Sequence, residues 1–402
     1  MTNLPQGWKM ETLGEILSSD KYSIKRGPFG SALKKSFFVE KGIRIFEQYN
    51  PINNDPHWKR YFISHEKFQE LEAFKATEGD LLISCSGTLG KIVELPKDTE
   101  MGIINQALLK IRLNNIKILN SYFIYYFNSP IMQEKILEST LGSAIKNIAS
   151  VKILKQIEIP LPPLKEQERI VGILDESFAK IDESIKILEQ NLLNLDELMQ
   201  SALQKAFNPL KDNAKENYKL PQSWEWKSLE EISENISAGG DKPKNCTESK
   251  TAKNQIPVYA NGVNNNGLVG YTDKATIIKP SLTISARGTI GFVCIRKEPY
   301  FPIVRLISLI PCENILCLHY LYFCLNFFIA KGEGSSIPQL TIPKFKSLQI
   351  PLPPLKEQEQ IAEHLDFVFE KAKALKELYT KELKDYEELK QSLLNKAFKG
   401  EL

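Results

Sequence analysis

Residues 159–168 read IPLPPLKEQE, and the same ten residues return at 350–359, 191 positions further on. Chance does not supply such a match, and a repeat of this kind decides the architecture of a chain. The register continues downstream, where Gln200, Ser201, Lys205, Ala206 and Phe207 recur as Gln391, Ser392, Lys396, Ala397 and Phe398. Upstream, LPQGW at Leu4–Trp8 is echoed by LPQSW at Leu220–Trp224. Gly87-Thr88-Leu89-Gly90 is echoed by Gly288-Thr289-Ile290-Gly291, and Gly142-Ser143-Ala144-Ile145 by Gly334-Ser335-Ser336-Ile337. The order is kept while the spacing drifts, so the 402-residue chain is one unit used twice, with loops of different length.

Each motif opens a helix. After the prolines, which only a first turn tolerates, apolar residues step by four and three: Leu174, Phe178, Ile181, Ile185, Leu188, Leu192, Leu195 and Met199. A heptad seam of that length predicts a coiled-coil helix. The second copy carries Leu365, Phe369, Leu375, Leu383, Tyr386 and Leu393. Lys376 and Lys390 stand where the first copy has Ile185 and Met199, so the seam must shift locally. At 1.5 Å per residue, roughly 40 residues span about 60 Å. The rest of each copy mixes short β-type runs, such as Asp80–Ser84 and Leu282–Ser285, with Gly- and Asn-rich turns and one apolar helix. The expected class is α+β, with mixed domains at 1–160 and 220–350, helices at 161–208 and 351–402, and a polar linker at 209–219.

Net charge is only +3, but it is sorted by segment. Residues 1–160 hold 21 basic and 17 acidic side chains and residues 209–350 hold 17 and 12, whereas both helical segments are acidic. Two cationic modules suit a polyanion. Candidate DNA contacts in the first are Lys25, Arg26, Lys34, Lys35, Gln48, Tyr49, Asn50, Trp58, Lys59, Arg60 and Lys146. In the second they are Lys242, Lys244, Tyr259, Asn261, Asn264, Asn265, Arg287, Ser335 and Gln339. Lysine and arginine neutralise phosphates, while Asn, Gln and Arg present the paired donors and acceptors that distinguish base edges. Solvated turns are the competing explanation for each loop, since Asn-Gly runs form turns anyway.

Catalytic signatures are missing. There is no phosphate loop, dinucleotide fingerprint or HExxH, and the four histidines are scattered. Cys312, Cys317, His319 and Cys324 have the wrong spacing for zinc, and the second half of the run sits on an apolar helix. Six cysteines without CxxC or disulfide spacing fit a reducing compartment. The longest apolar stretch, 315–330, is short for a bilayer span, and the first ten residues lack a signal-peptide core, so a cytoplasmic chain is expected.

Two variable mixed domains, each closing on IPLPPLKEQE and a helix ending in QSxLxKAF, resemble the specificity (S) subunit of type I restriction-modification enzymes. The Ser86–Gly90 and Arg287–Gly291 turns and the LPxGW openings fit the same resemblance. It implies two target recognition domains, each reading half of a bipartite, asymmetric DNA sequence. The two helices would form an antiparallel coiled-coil spacer, giving an internal pseudo-two-fold repeat. It also implies two modification (methyltransferase) subunits and two restriction (motor-nuclease) subunits as partners. S-adenosylmethionine, ATP and Mg would then sit on those partners, and this chain would bear no catalytic or metal site. Alternatives are a specificity subunit working with a different nuclease, a coiled-coil adaptor that binds no DNA, and a stand-alone enzyme, which would need methyltransferase motifs that are absent.

Overall fold

The computed structural model describes residues 4–138, 148, 150–207, 221–329, 332–333 and 340–402. They form two compact units, Met1–Leu188 with Lys381–Leu402, and Glu189–Thr380. The linker expected at 209–219 lies outside the described residues.

In the first unit an antiparallel sheet runs in the order Ile24–Arg26, Leu108–Ile111, Leu81–Ser84, Ile92–Glu94. Successive residues of a strand face opposite ways. Leu81 and Ile83 therefore enter one apolar cluster with Leu109, Ile111 and Tyr122, while Leu82 enters another with Phe46, Val93 and Leu108. Burial on both faces explains why Leu81–Ser84 reads as a continuous apolar run rather than an alternating one. Helix Asn120–Asn128 supplies the first cluster. A second, five-stranded sheet supplies the other side, in the order Phe38–Val39, Phe62–Ile63, Ile43–Phe46, Gly102–Ile104, Lys75–Ala76, with its third and fourth strands parallel.

The second unit repeats the first sheet strand for strand: Ser233–Ala238, Ile307–Pro311, Ser281–Ile284, Val293–Arg296. Its companion sheet differs, having three strands (Leu268–Thr272, Ile256–Tyr259, Phe301–Pro302). A two-stranded ribbon closes each unit, Lys9–Thr12 with Glu158–Leu161 and Glu225–Ser228 with Gln349–Leu352.

The long helices run Leu164–Phe207 and Leu355–Lys399. The glutamine of each repeated motif explains how they are attached. Gln167 is fully buried; its Oε1 accepts from Leu119 N at 2.9 Å, and its Nε2 donates to Lys117 O at 3.0 Å and Pro162 O at 2.9 Å. Gln358 does the same with Cys317 N at 2.9 Å, Ile315 O at 2.9 Å and Pro353 O at 2.8 Å. Tyr122 and Tyr320 then donate to Pro160 O and Pro351 O. A buried amide with both ends satisfied is a rigid bracket.

Within each unit the two helices pack antiparallel. In the first, Leu174 shares a cluster with Leu394 and Ala397, and eight residues further along the first helix Asp182 pairs with Lys390. In the second, Phe207 clusters with Ala362 and Leu365, and Asp196 pairs with Lys376. The two lysines that interrupt the seam thus find aspartates on the facing helix. Of the expected seam, Leu174, Ile181, Leu188, Leu195 and Leu365 are buried, and Phe178, Ile185, Leu192, Phe369, Leu383, Tyr386 and Leu393 are half-buried. Leu375 is 38% exposed; Ala372 is buried and Lys376 half-buried instead.

Each unit's core is completed by the end of the helix that began in the other copy. Phe398 sets its ring 5.4 Å from Tyr122 and 5.1 Å from Tyr126, and Phe207 lies 5.4 Å from Tyr320 and 5.7 Å from Phe327. Both are essentially inaccessible to solvent. Replacing either by alanine should cost about 3–5 kcal/mol of unfolding free energy, measured by denaturant titration. A loss below about 1 kcal/mol would show that the ring is not part of the core.

Candidate nucleic-acid interface

In the first unit, Lys25 and Arg26 lie on the edge strand of the four-stranded sheet, beside aromatic rings. The Lys25 Nζ is 5.1 Å from the Phe74 ring and 5.4 Å from Tyr22, and the Arg26 guanidinium is 5.4 Å from exposed Phe29. Next to them Gly27 is held so close to the chain that a Cβ would meet Asn105 O at 1.8 Å. Lys34 and Lys35 are exposed.

Gln48, Tyr49, Asn50, Trp58, Lys59 and Arg60 belong to one folded loop. Tyr49 and Trp58 stack at 4.3 Å, with Tyr49 42% exposed. Asn50 is not at the surface: it is fully buried, its Oδ1 accepting from Glu47 N and its Nδ2 donating to Asp55 O and Trp58 O, each at 2.9 Å. Its amide is consumed in shaping the loop. Lys59 is paired with Glu100, and Arg60 lies over Tyr61 at 4.8 Å. Burial pushes the Glu47 carboxyl up, against the opposing pull of Arg60.

In the second unit Lys242 and Lys244 are exposed on the loop after Ser233–Ala238. Asn261 is a brace: its Oδ1 accepts from Ala286 N at 2.8 Å and its Nδ2 donates to Val304 O at 2.7 Å. It thereby ties the amide-rich loop to the Arg287 turn. Asn264 and Asn265 are exposed on a tight turn in which Asn265 and Asn266 have φ of 47° and 52°. Asparagine tolerates this left-handed backbone better than most residues. Tyr259 sits under the Arg296 guanidinium at 3.6 Å, and Arg287 is exposed. Lys146, Ser335 and Gln339 lie outside the described residues.

Both glycine turns repeat in conformation. Gly87 and Gly90 have φ of 68° and 71°, and Gly288 and Gly291 have 71° and 82°. Each is closed by the same bond, Gly90 N to Ser84 O and Gly291 N to Ser285 O, both 3.0 Å. The sequence reasoning missed three residues here: Arg44 and Arg296, buried beneath the loops, and Val304, whose φ of 53° is strained for a β-branched residue. A charge inside the apolar runs IRIF and VCIR was the available signal for the arginines.

Among the described residues no group of three His, Cys, Asp or Glu side chains could hold a metal. Cys324 is instead fully buried, its thiol pushed well up by burial, and His319 Nδ1 lies 2.6 Å from Asp366 Oδ2. No helix among the described residues is long and apolar enough to cross a membrane.

Comparison with known proteins finds the type I restriction modification DNA specificity domain twice, at residues 5–193 and 221–384. The chain belongs to this family. A putative type I specificity subunit of Mycoplasma pneumoniae is 33% identical over 54% of this chain and 56% of its own length. A second from the same organism is 31% identical over 56% and 66%. These alignments thus span less than two thirds of those relatives. A putative type I restriction enzyme specificity subunit of Methanocaldococcus jannaschii is 25% identical over 85% of this chain and 82% of its own length. In fold, the specificity-family chain is similar to one from a type I restriction-modification system (TM-score 0.80, 20% identity, all of both chains covered). It is also similar to the HsdS subunit of Thermoanaerobacter tengcongensis (TM-score 0.63, 20% identity, 99% and 98% covered).

The buried and exposed asparagines should separate cleanly. Asn50→Ala strands Glu47 N and the Asp55 carbonyl, while Trp58 O keeps its bond from Arg44, and should cost about 1–3 kcal/mol. Asn264→Ala should stay within about 0.5 kcal/mol. Thermal unfolding of the two variants checks this, and equal losses would contradict the placement.

Proposed function

We propose that this chain is the non-catalytic, DNA sequence-reading subunit of a type I restriction-modification assembly. The observation carrying the proposal is that the specificity domain matches twice along the chain. Each copy has the same four-stranded sheet and the same glutamine bracket, yet a different companion sheet and different polar loops. A constant scaffold with unlike loops suits two readers of two unlike half-sites. The modules at 1–160 and 220–350 would each take one half of a split double-stranded target, joined by the linker at 209–219. The helices at 161–208 and 351–402 would set the gap, as dimer geometry sets half-site spacing in palindrome readers.

Partners in this reading are two modification subunits that methylate adenine and two motor-nuclease subunits. S-adenosylmethionine, ATP and Mg are held by those partners, and the assembly works in the cytoplasm. Exposed Lys34, Lys35, Lys242 and Lys244 fit phosphates, and the loops around Tyr49–Trp58 and Asn264–Asn265 fit base edges.

The test is to map methylated adenines in DNA from cells making this chain with its modification subunit. The expected pattern is a split motif with a fixed gap; absence of any motif in an assembled complex would overturn the reading. Exchanging residues 1–160 for another recognition domain should change one half only. Affinity should fall linearly on a logarithmic salt scale, since phosphate contacts release counterions. A salt-independent affinity would argue for protein binding instead. Deleting one heptad from either long helix should alter the gap or block assembly, and unchanged methylation at an unchanged motif would remove the spacer role.

A further inference from the structure

Two buried arginines each grip one of the loops assigned above to base edges. Arg44 is 1% exposed within the strand Ile43–Phe46. Its Nη2 donates to Pro56 O at 2.9 Å and to Trp58 O at 2.7 Å, and its guanidinium lies 4.0 Å from the Phe46 ring. Among the described residues its Nε and Nη1 have no hydrogen-bond partner, and no carboxylate reaches it at ion-pair distance. Burial lowers its pKa to about 10. Such a group is costly to keep inside a protein. What Arg44 does and an apolar residue cannot is hold the Trp58 carbonyl, jointly with Asn50, and so set the stacked Tyr49–Trp58 pair.

Arg296 does the corresponding work in the second unit with different geometry. It is 8% exposed; its Nε donates to Thr283 Oγ1 at 3.0 Å, its Nη2 donates to Asn266 O at 2.5 Å, and its face covers Tyr259 at 3.6 Å. It thus pins the left-handed Asn265–Asn266 turn. The two are not copies of one residue. Arg44 is in the companion sheet, whereas Arg296 ends a strand of the repeated sheet whose counterpart, Ile92–Glu94, is followed by Leu95. The bracket carries the same residue in both copies, Gln167 and Gln358; these anchors do not. Each copy thus has its own buried arginine under the polar loop in which the copies differ.

We propose that Arg44 and Arg296 are positioning residues for specificity: each fixes the loop that selects the bases of its own half-site. This rests on the DNA-reading function proposed above. Arg44→Met and Arg296→Met are made in the full-length chain and assembled with modification subunits, and methylated motifs are mapped beside cognate and mismatched duplex binding at one salt concentration. Arg44→Met should broaden the accepted bases, with at least a tenfold loss of cognate preference, only in the half that exchange of residues 1–160 alters. Arg296→Met should do so only in the other half. Arg44→Lys keeps the charge but lacks the planar fork, and should fall between. Tyr49→Ala, at an exposed position, should broaden the same half as Arg44→Met and keeps the test open if burying methionine unfolds the chain. Unchanged base preferences in both halves, or a uniform fall in methylation at an unchanged motif, would overturn the assignment. Failure of the unaltered chain to direct any split motif would instead remove the DNA-reading function itself.

Discussion

A buried side-chain amide holds each half of this protein together. Gln167 and Gln358 sit in the first turn of a long helix, fully removed from water, with carbonyl and amino group both satisfied by backbone. The glutamine joins three segments at once: the Pro-rich strand exit, the helix start, and the loop entering the apolar helix. Losing it would strand several buried backbone groups, each costing about 1–3 kcal/mol. The glutamine is one of the ten residues identical in the two copies.

From that fixed start each helix runs antiparallel to its neighbour within a unit and ends in an aromatic nest. Phe207 and Phe398 occupy equivalent sockets beside Tyr320 and Tyr122, so neither unit has a complete core without a helix end from the opposite half of the sequence. Where the copies need not agree, they diverge: five strands against three in the companion sheet, and a Tyr–Trp stack against an asparagine turn over the buried arginine.

Much of this was legible in the residues. The seam is read from its four-three spacing, because a helix brings those positions to one face whatever surrounds it. Lys376 and Lys390 signal a local break in that seam, and Asp196 and Asp182 meet them across it. Leu375 fits the spacing yet remains 38% exposed, since Ala372 and Lys376 occupy the facing side. The candidate interface was less legible. Asn50 and Asn261 have the chemistry of base readers but are spent on their own backbones, whereas Asn264 and Asn265, of the same residue type, are exposed. Composition does not distinguish these roles, because hydrogen-bond partners arrive from loops distant in sequence.

The sequence by itself determined the doubling, the two helices, the α+β class and the absence of familiar catalytic motifs, for these depend on local periodicity and on identity between copies. Only the tertiary structure decided which amides face water, which arginines are buried beneath them, and that each helix end closes the other copy's core. Those outcomes depend on contacts between segments tens to hundreds of residues apart, and no local pattern encodes such distances.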